Sequence, residues 1–162
     1  MAMHQEKCLF CDILGGRLPA EVVYRDHVCA VILDAFPLTR GHLLVIPHGH
    51  AQHIEELPAS SVTHMFALGS RLSAALRSRG EIPATHLLLN NGAAANQHVA
   101  HVHLHVIPRR RGDSWYAVWR FLTRFINPFS YLGRERRLAR DAVYVREMLA
   151  LNREVGEGVL SE

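Results

Sequence analysis

His101-Val102-His103-Leu104-His105-Val106-Ile107-Pro108 places three histidines on alternate residues with Val102 and Leu104 between them. A β-strand turns successive side chains to opposite faces. This spacing therefore reads as a strand with three imidazoles in one row and valine and leucine toward a core. A single histidine on such a strand is an ordinary surface residue, but three in strict alternation need a chemical reason. Histidine supplies one, since near neutral pH it can be nucleophile, acid or metal ligand without large tuning.

Working upstream, the chain has a coarse α+β order. Glu21 to Arg25 and Val28 to Leu33 read as two strands joined at the polar pair Asp26-His27, and His42 to Ile46 as a third closed by Pro47. After Pro58, Val62, Met65, Phe66, Leu72 and Leu76 keep a helical period that stops at Gly80 and Pro83, and this stripe is expected in the core. His86 to Asn90 forms a further strand, and the Asn91-Gly92 loop leads into the histidine row. Downstream, Trp115, Trp119, Leu122 and Phe125 recur at helical spacing, with packing on the sheet as the default for the aromatics. A break at Pro128 and Gly133 precedes a second basic helix carrying Leu138, Ala142, Val145 and Leu149 on one side, and residues 156–162 read as a frayed end.

Composition bounds the function classes. The chain has 162 residues, 49% of them hydrophobic, which suits one core and a single domain over 1–162. No apolar run is long enough to span a bilayer and Met1 to Lys7 has no signal-peptide character, so a soluble, cytoplasmic protein without membrane partners is expected. Three cysteines do not make a disulfide framework, and Cys29 sits in an apolar strand. The net charge of +3 is uneven, because nine arginines between Arg109 and Arg140 face only Asp113 and Glu135. Such a stretch can attract polyphosphate or nucleic acid. With one lysine in the chain, arginine is also simply the default cation, and no aromatic-basic motif or finger repeat supports nucleic acid.

Two further constellations carry chemistry. Asn90, Asn91, Gly92, Asn96 and Gln97 form a loop whose backbone amides can cradle an anion, although asparagine before glycine is also an ordinary turn. Cys8 and Cys11 have the two-residue gap that lets both thiolates reach one ion, a spacing shared with redox pairs.

Around the histidine row the sequence resembles the histidine-triad (HIT) superfamily, whose hallmark His-φ-His-φ-His-φ-φ, with φ apolar, is read here as HVHLHVI. The likeness runs from Cys8-Leu9-Phe10-Cys11 through Leu33-Asp34, Gly41-His42-Leu43-Leu44-Val45-Ile46-Pro47 and Asn90-Asn91-Gly92 to Gln97, and is nearest to HINT-type and Fhit-type hydrolases. The resemblance implies an antiparallel sheet with a main helix, paired into one continuous sheet in a homodimer. The core motifs occupy 8–108; 109–162 is a C-terminal extension where the family motifs say least, open between lid, dimer element and specificity region.

The activity implied is hydrolysis at the α-phosphate of a purine nucleotide conjugate, an AMP or GMP moiety carried on a histidine. The leaving group is left open between a phosphoramidate and a dinucleoside polyphosphate; the Arg109-Arg110-Arg111 run would favour the longer chain. By resemblance His103 is the nucleophile, His105 contacts phosphate and stabilises the transition state, and His101 orients its neighbour. Asn90 and Gln97 match phosphate-binding positions, Asp34 the acceptor for ribose hydroxyls, and Phe10, Ile13, Ile32 and Ala35 the apolar walls around the base. His98 stands where HINT proteins often carry a serine that helps the leaving group, so its backbone amide rather than a hydroxyl would face phosphate. Family members with the cysteine pair complete a structural zinc site, which here would comprise Cys8, Cys11, His50 and His101. His42, His48, His53, His64 and His86 read as surface or packing residues. Two other classes fit the sequence: a nucleotide-binding regulatory module with negligible turnover, and a zinc-stabilised nucleic-acid-binding protein.

Overall fold

Asp26 builds the first hairpin. Its Oδ1 accepts the backbone N–H groups of Val28 at 2.8 Å and Cys29 at 2.7 Å, and its own N–H donates to the Cys29 carbonyl at 2.9 Å. An aspartate that replaces backbone partners in this way closes a turn between two strands, here β1 (Val22–Arg25) and β2 (Cys29–Leu33), which pair antiparallel. The computed structural model describes residues 8–78, 80–115 and 134–156. Three more strands, β3 (Leu43–Pro47), β4 (Ala84–Leu89) and β5 (Leu104–Arg109), complete one antiparallel sheet in the order β1-β2-β3-β5-β4. The described helices are α1 (Leu9–Leu14), α2 (Ala59–Arg77) and α3 (Arg134–Gly156). None of the described helices is long and apolar enough to cross a membrane.

Alternation along the strands sorts the core into two layers. Val31, Leu33, Leu43, Val45, Leu104 and Val106 belong to a core cluster with Met65, Leu68, Leu72 and Leu76 of α2, to which α3 adds Ala142, Val145 and Met148. Ile32, Leu44 and Ile46 form a second cluster with Phe10 of α1. Gly69 lets α2 approach the triad strand, since a Cβ there would come within 2.7 Å of Leu104 Cδ2. Two sequence expectations change here. Phe66 is exposed rather than core, and Trp115 is 84% exposed rather than packed on the sheet. The basic helix is as expected, with Leu138 and Leu149 packed beside its buried residues. Trp119, Leu122, Phe125, Pro128 and the frayed end beyond residue 156 lie outside the described residues.

The hairpin is also clipped to α2, because His64 Nε2 lies 2.8 Å from Asp26 Oδ2. Burial works to raise the Asp26 pKa, but hydrogen bonds from Cys29, His64 and Val28 outweigh it and hold the carboxyl well below the usual carboxylate range. A depressed carboxyl pKa adds stability that is present above the unfolded value, about 3.9, and is lost as pH falls through the folded value. Asp26→Asn is therefore expected to lower unfolding free energy by about 1–2 kcal/mol at pH 7. Urea titrations should show the gap to wild type narrowing as the pH drops below about 3.9; a constant gap would mean that the charge is not what stabilises the turn.

Candidate active site

Proline decides where the triad strand begins. β3 pairs with β5 through Leu43↔Val106, Leu44↔His105 and Val45↔Leu104, and the ladder stops before Pro47, which has no N–H to give. Beyond that point the Pro47 carbonyl lies 3.0 Å from His101 Nε2, and the Val102 N–H donates to Ala51 instead. His105 therefore lies in β5, whereas His101 and His103 sit in the segment leading into it, a correction to a row held wholly by one strand. The segment still presents the rings together. His103 and His105 have centroids 4.9 Å apart, and the Phe10 ring packs in steep edge contacts with His103 at 5.0 Å and His101 at 5.9 Å. All three imidazoles are buried, at 0%, 6% and 7% exposure.

Hydrogen bonds assign the ring protons. A carbonyl can only accept, so the 2.7 Å contact from His103 Nδ1 to the His101 carbonyl places the proton on Nδ1 and leaves Nε2 with its lone pair. His42, read from sequence as surface or packing, is fully buried between Asp34 and the triad. The Leu38 N–H donates to His42 Nδ1 at 3.2 Å, so His42 Nε2 carries the proton and donates to His105 Nδ1 at 3.0 Å. His105 then keeps its proton on Nε2. A basic nitrogen and an N–H donor thus belong to neighbouring rings. Asp34 Oδ2 lies 3.4 Å from His42 Nδ1, and Oδ1 accepts from the Phe36 N–H at 2.8 Å. Asp34, His42 and His105 do bring three donor atoms within 4.8 Å. His42 turns a different nitrogen to each partner, which suits a hydrogen-bonded chain better than a chelate.

The other expected site residues fall in three places. Phe10, Ile13 and Ile32 share the second core cluster, beside His103. Asn90 and Gln97 lie in the loop after β4, where Gly92 at φ 95° and Asn96 at φ 62° make the turn. There the Gln97 amide bridges the Gly92 N–H at 2.6 Å and the Gln52 carbonyl at 2.8 Å, and Asn90 Nδ2 donates to the Asn96 carbonyl. Both currently hold the loop together. His98 is exposed. Of the arginine run, Arg109 clamps Asp113 at 2.6 Å, and Arg110 donates to the Arg40 carbonyl and the Tyr144 hydroxyl.

Cys8, Cys11, His50 and His101 converge. His101 Nδ1 lies 3.5 Å from Cys8 Sγ, 3.6 Å from Cys11 Sγ and 3.3 Å from His50 Nδ1, and Cys11 Sγ lies 3.3 Å from His50 Nδ1. A tetrahedral zinc with nitrogens at about 2.0–2.1 Å and sulfurs at about 2.3 Å sets N···N edges near ~3.4 Å and N···S edges near ~3.6 Å. The donor set fits that ion in identity and in spacing. His101 Nε2 is committed to the Pro47 carbonyl, which leaves Nδ1 bare, the orientation a ligand needs. Burial and the neighbouring Cys8 push the Cys11 thiol up to about 11, so it is a cation that would make both sulfurs good ligands.

A HIT domain profile matches residues 16–112. The chain belongs to the HIT family. The profile starts after the cysteine pair, so the zinc-like cluster is only partly inside it. A HIT-like protein of Mycobacterium tuberculosis is 44% identical over 65% of this chain and 74% of its own. Adenylylsulfatase HINT3 of Arabidopsis thaliana is 41% identical over 70% of this chain and 57% of its own. Adenosine 5'-monophosphoramidase HNT1 of Saccharomyces cerevisiae is 32% identical over 64% and 63%. Among solved structures, a zinc-bound histidine triad family protein of Mycobacterium smegmatis superposes with a TM-score of 0.75 at 34% identity, covering 92% of this chain and 97% of that one. That coverage takes the likeness past the triad into the C-terminal extension.

Proposed function

We propose that this HIT protein hydrolyses a purine nucleotide conjugate at its α-phosphate through a nucleotidyl group carried on His103. The observation that carries the reading is the His103 Nδ1–H···O=C bond to His101, because it leaves Nε2 as the unprotonated nucleophile. In the first step the Nε2 lone pair bonds to phosphorus and the bond to the leaving group breaks. The His105 Nε2–H, held in that tautomer by the His42 N–H, hydrogen-bonds to the departing atom, which takes its proton from solvent. In the second step water attacks phosphorus, the P–N bond breaks to return the lone pair to His103 Nε2, and the water proton leaves to solvent. The Asp34 carboxylate, just after β2, accepts hydrogen bonds from a ribose diol. Phe10, Ile13 and Ile32 wall the base, and Asn90, Gln97 and the His98 backbone amide meet phosphate once a loop contact is exchanged.

The names of HINT3 and HNT1 point to adenylyl conjugates in this family. The test is a panel of adenosine 5'-phosphoramidate, adenylyl sulfate and diadenosine triphosphate in ¹⁸O-water, expected to give AMP carrying the label from at least one of them. AMP binding without release from any of the three would reduce the protein to a nucleotide-binding module.

The same reading takes the protein as a homodimer. β4 is a sheet edge carrying Leu87 and Leu88, and with Phe66 of α2 these are 40–46% exposed, which favours sheet extension by a second copy. Leu88→Glu is expected to halve the mass measured by light scattering; an unchanged mass for the variant, or a monomeric wild type, would remove the dimer.

A further inference from the structure

The arginine excess of the C-terminal extension is not used by the triad, yet α3 brings part of it to one place. Arg137 and Arg140 face Arg40 across a cavity of about 350 Å³ between the 37–40 turn and α3. The cavity lining carries three guanidinium groups and one carboxylate, Asp141, whose Oδ1 accepts from Arg40 Nε at 3.0 Å. Arg40 is held further by the Tyr144 ring, 4.2 Å from its guanidinium carbon. The turn opposite is fixed, with the Thr39 hydroxyl donating to the Pro108 carbonyl and the Leu38 N–H to His42 Nδ1. The volume lies at the small end of ligand sites, roughly 300–1,000 Å³. A lining rich in planar cationic forks suits phosphate oxygens, which they can bind two at a time.

We propose that this cleft is a second anion site, separate from the triad, that takes a short oligophosphate group. One of its wall residues, Leu38, also fixes the proton position on His42, so the site adjoins the chain of hydrogen bonds behind His105. The oligophosphate could be free or the phosphate chain of a nucleotide; both present the same chemistry.

The probe is inorganic tripolyphosphate, titrated calorimetrically into full-length protein with and without saturating AMP. Binding is expected to persist with AMP present, at one per chain, and to weaken at least tenfold in Arg137→Gln/Arg140→Gln. Arg140→Gln alone, at an exposed position, gives a smaller loss without risk to the fold. Arg136→Gln, on the same helix but not lining the cavity, should stay within twofold of wild type. Loss of binding on AMP saturation would place the anion at the triad and overturn the proposal, and an equal loss in Arg136→Gln would overturn it as general surface charge. Repeating the titration with ATP separates the sources. Tighter binding than tripolyphosphate, sensitive both to AMP and to the arginine variants, assigns the cleft to a nucleotide's chain, and binding no tighter than tripolyphosphate assigns it to a free anion. Failure of AMP itself to bind would count against the proposed function, while the arginine variants would still decide the cleft.

Discussion

His103→Ala or His103→Asn should lower kcat on the order of 10⁴-fold or more while leaving the dissociation constant for AMP within a few-fold. The reason is positional. The His103 backbone precedes β5 and its ring is packed between the Phe10 and His105 rings, so a smaller side chain would remove the proposed attacking atom without removing the walls. Asparagine keeps a polar group there but has no nucleophilic nitrogen, so the two variants should fail alike. His105→Asn should lose less, about 10²–10³-fold, because it removes a donor rather than the bond-forming atom. His42→Phe should fall in the same range, since it leaves His105 Nδ1 without the donor that now fixes its tautomer. The direct readout is rapid acid-free quenching of a labelled substrate. Wild type and the His105 variant should carry nucleotide on protein, bound through an acid-labile P–N bond, and neither His103 variant should. Turnover retained by His103→Ala would assign the nucleophile to another residue.

The parts of this site that sequence could disclose are those set by local spacing. Alternation around Val102 and Leu104 identified the core-facing side of the triad segment, and Asp26 announced its turn because its partners are two and three residues away. His42 escaped for the opposite reason. It shares the parity of Leu44 and Ile46, so it faces the triad layer, but that is meaningful only once β3 is known to lie beside β5 with Leu44 opposite His105. A lone histidine before an apolar run carries no such information. Phe66 fits the helical stripe by spacing and lies exposed nonetheless, since periodicity gives a face and not what covers it. The same limit applied to the arginines. Nine cations in a stretch of sequence say nothing of which are spent on Asp113 or Tyr144 and which line a cavity with Arg40, a residue roughly a hundred positions away.

Protein prepared without added metal is expected to contain about one zinc per chain, and Cys8→Ser/Cys11→Ser should contain none. The double variant should melt about 5–15 °C lower, which corresponds to roughly 2–4 kcal/mol for a chain of this size. Four donors from three separated stretches, the α1 region, the residues after β3 and the triad segment, would be tied together by the ion, so its removal would free the N-terminal turn from the sheet. The effect should reach the nucleophile as well. The His101 ring would be a ligand while its backbone carbonyl accepts from His103 Nδ1, and Phe10 lies between the two cysteines in sequence with its ring against His103. Loss of zinc should therefore lower kcat more than it raises KM. It should also turn the single Nδ1–H tautomer of His103, as read by ¹⁵N NMR, into a mixture. Unchanged melting with both thiols freely titrating would show that the cluster only packs. An unchanged tautomer in metal-free protein would confine the ion to stability and separate it from the chemistry of His103.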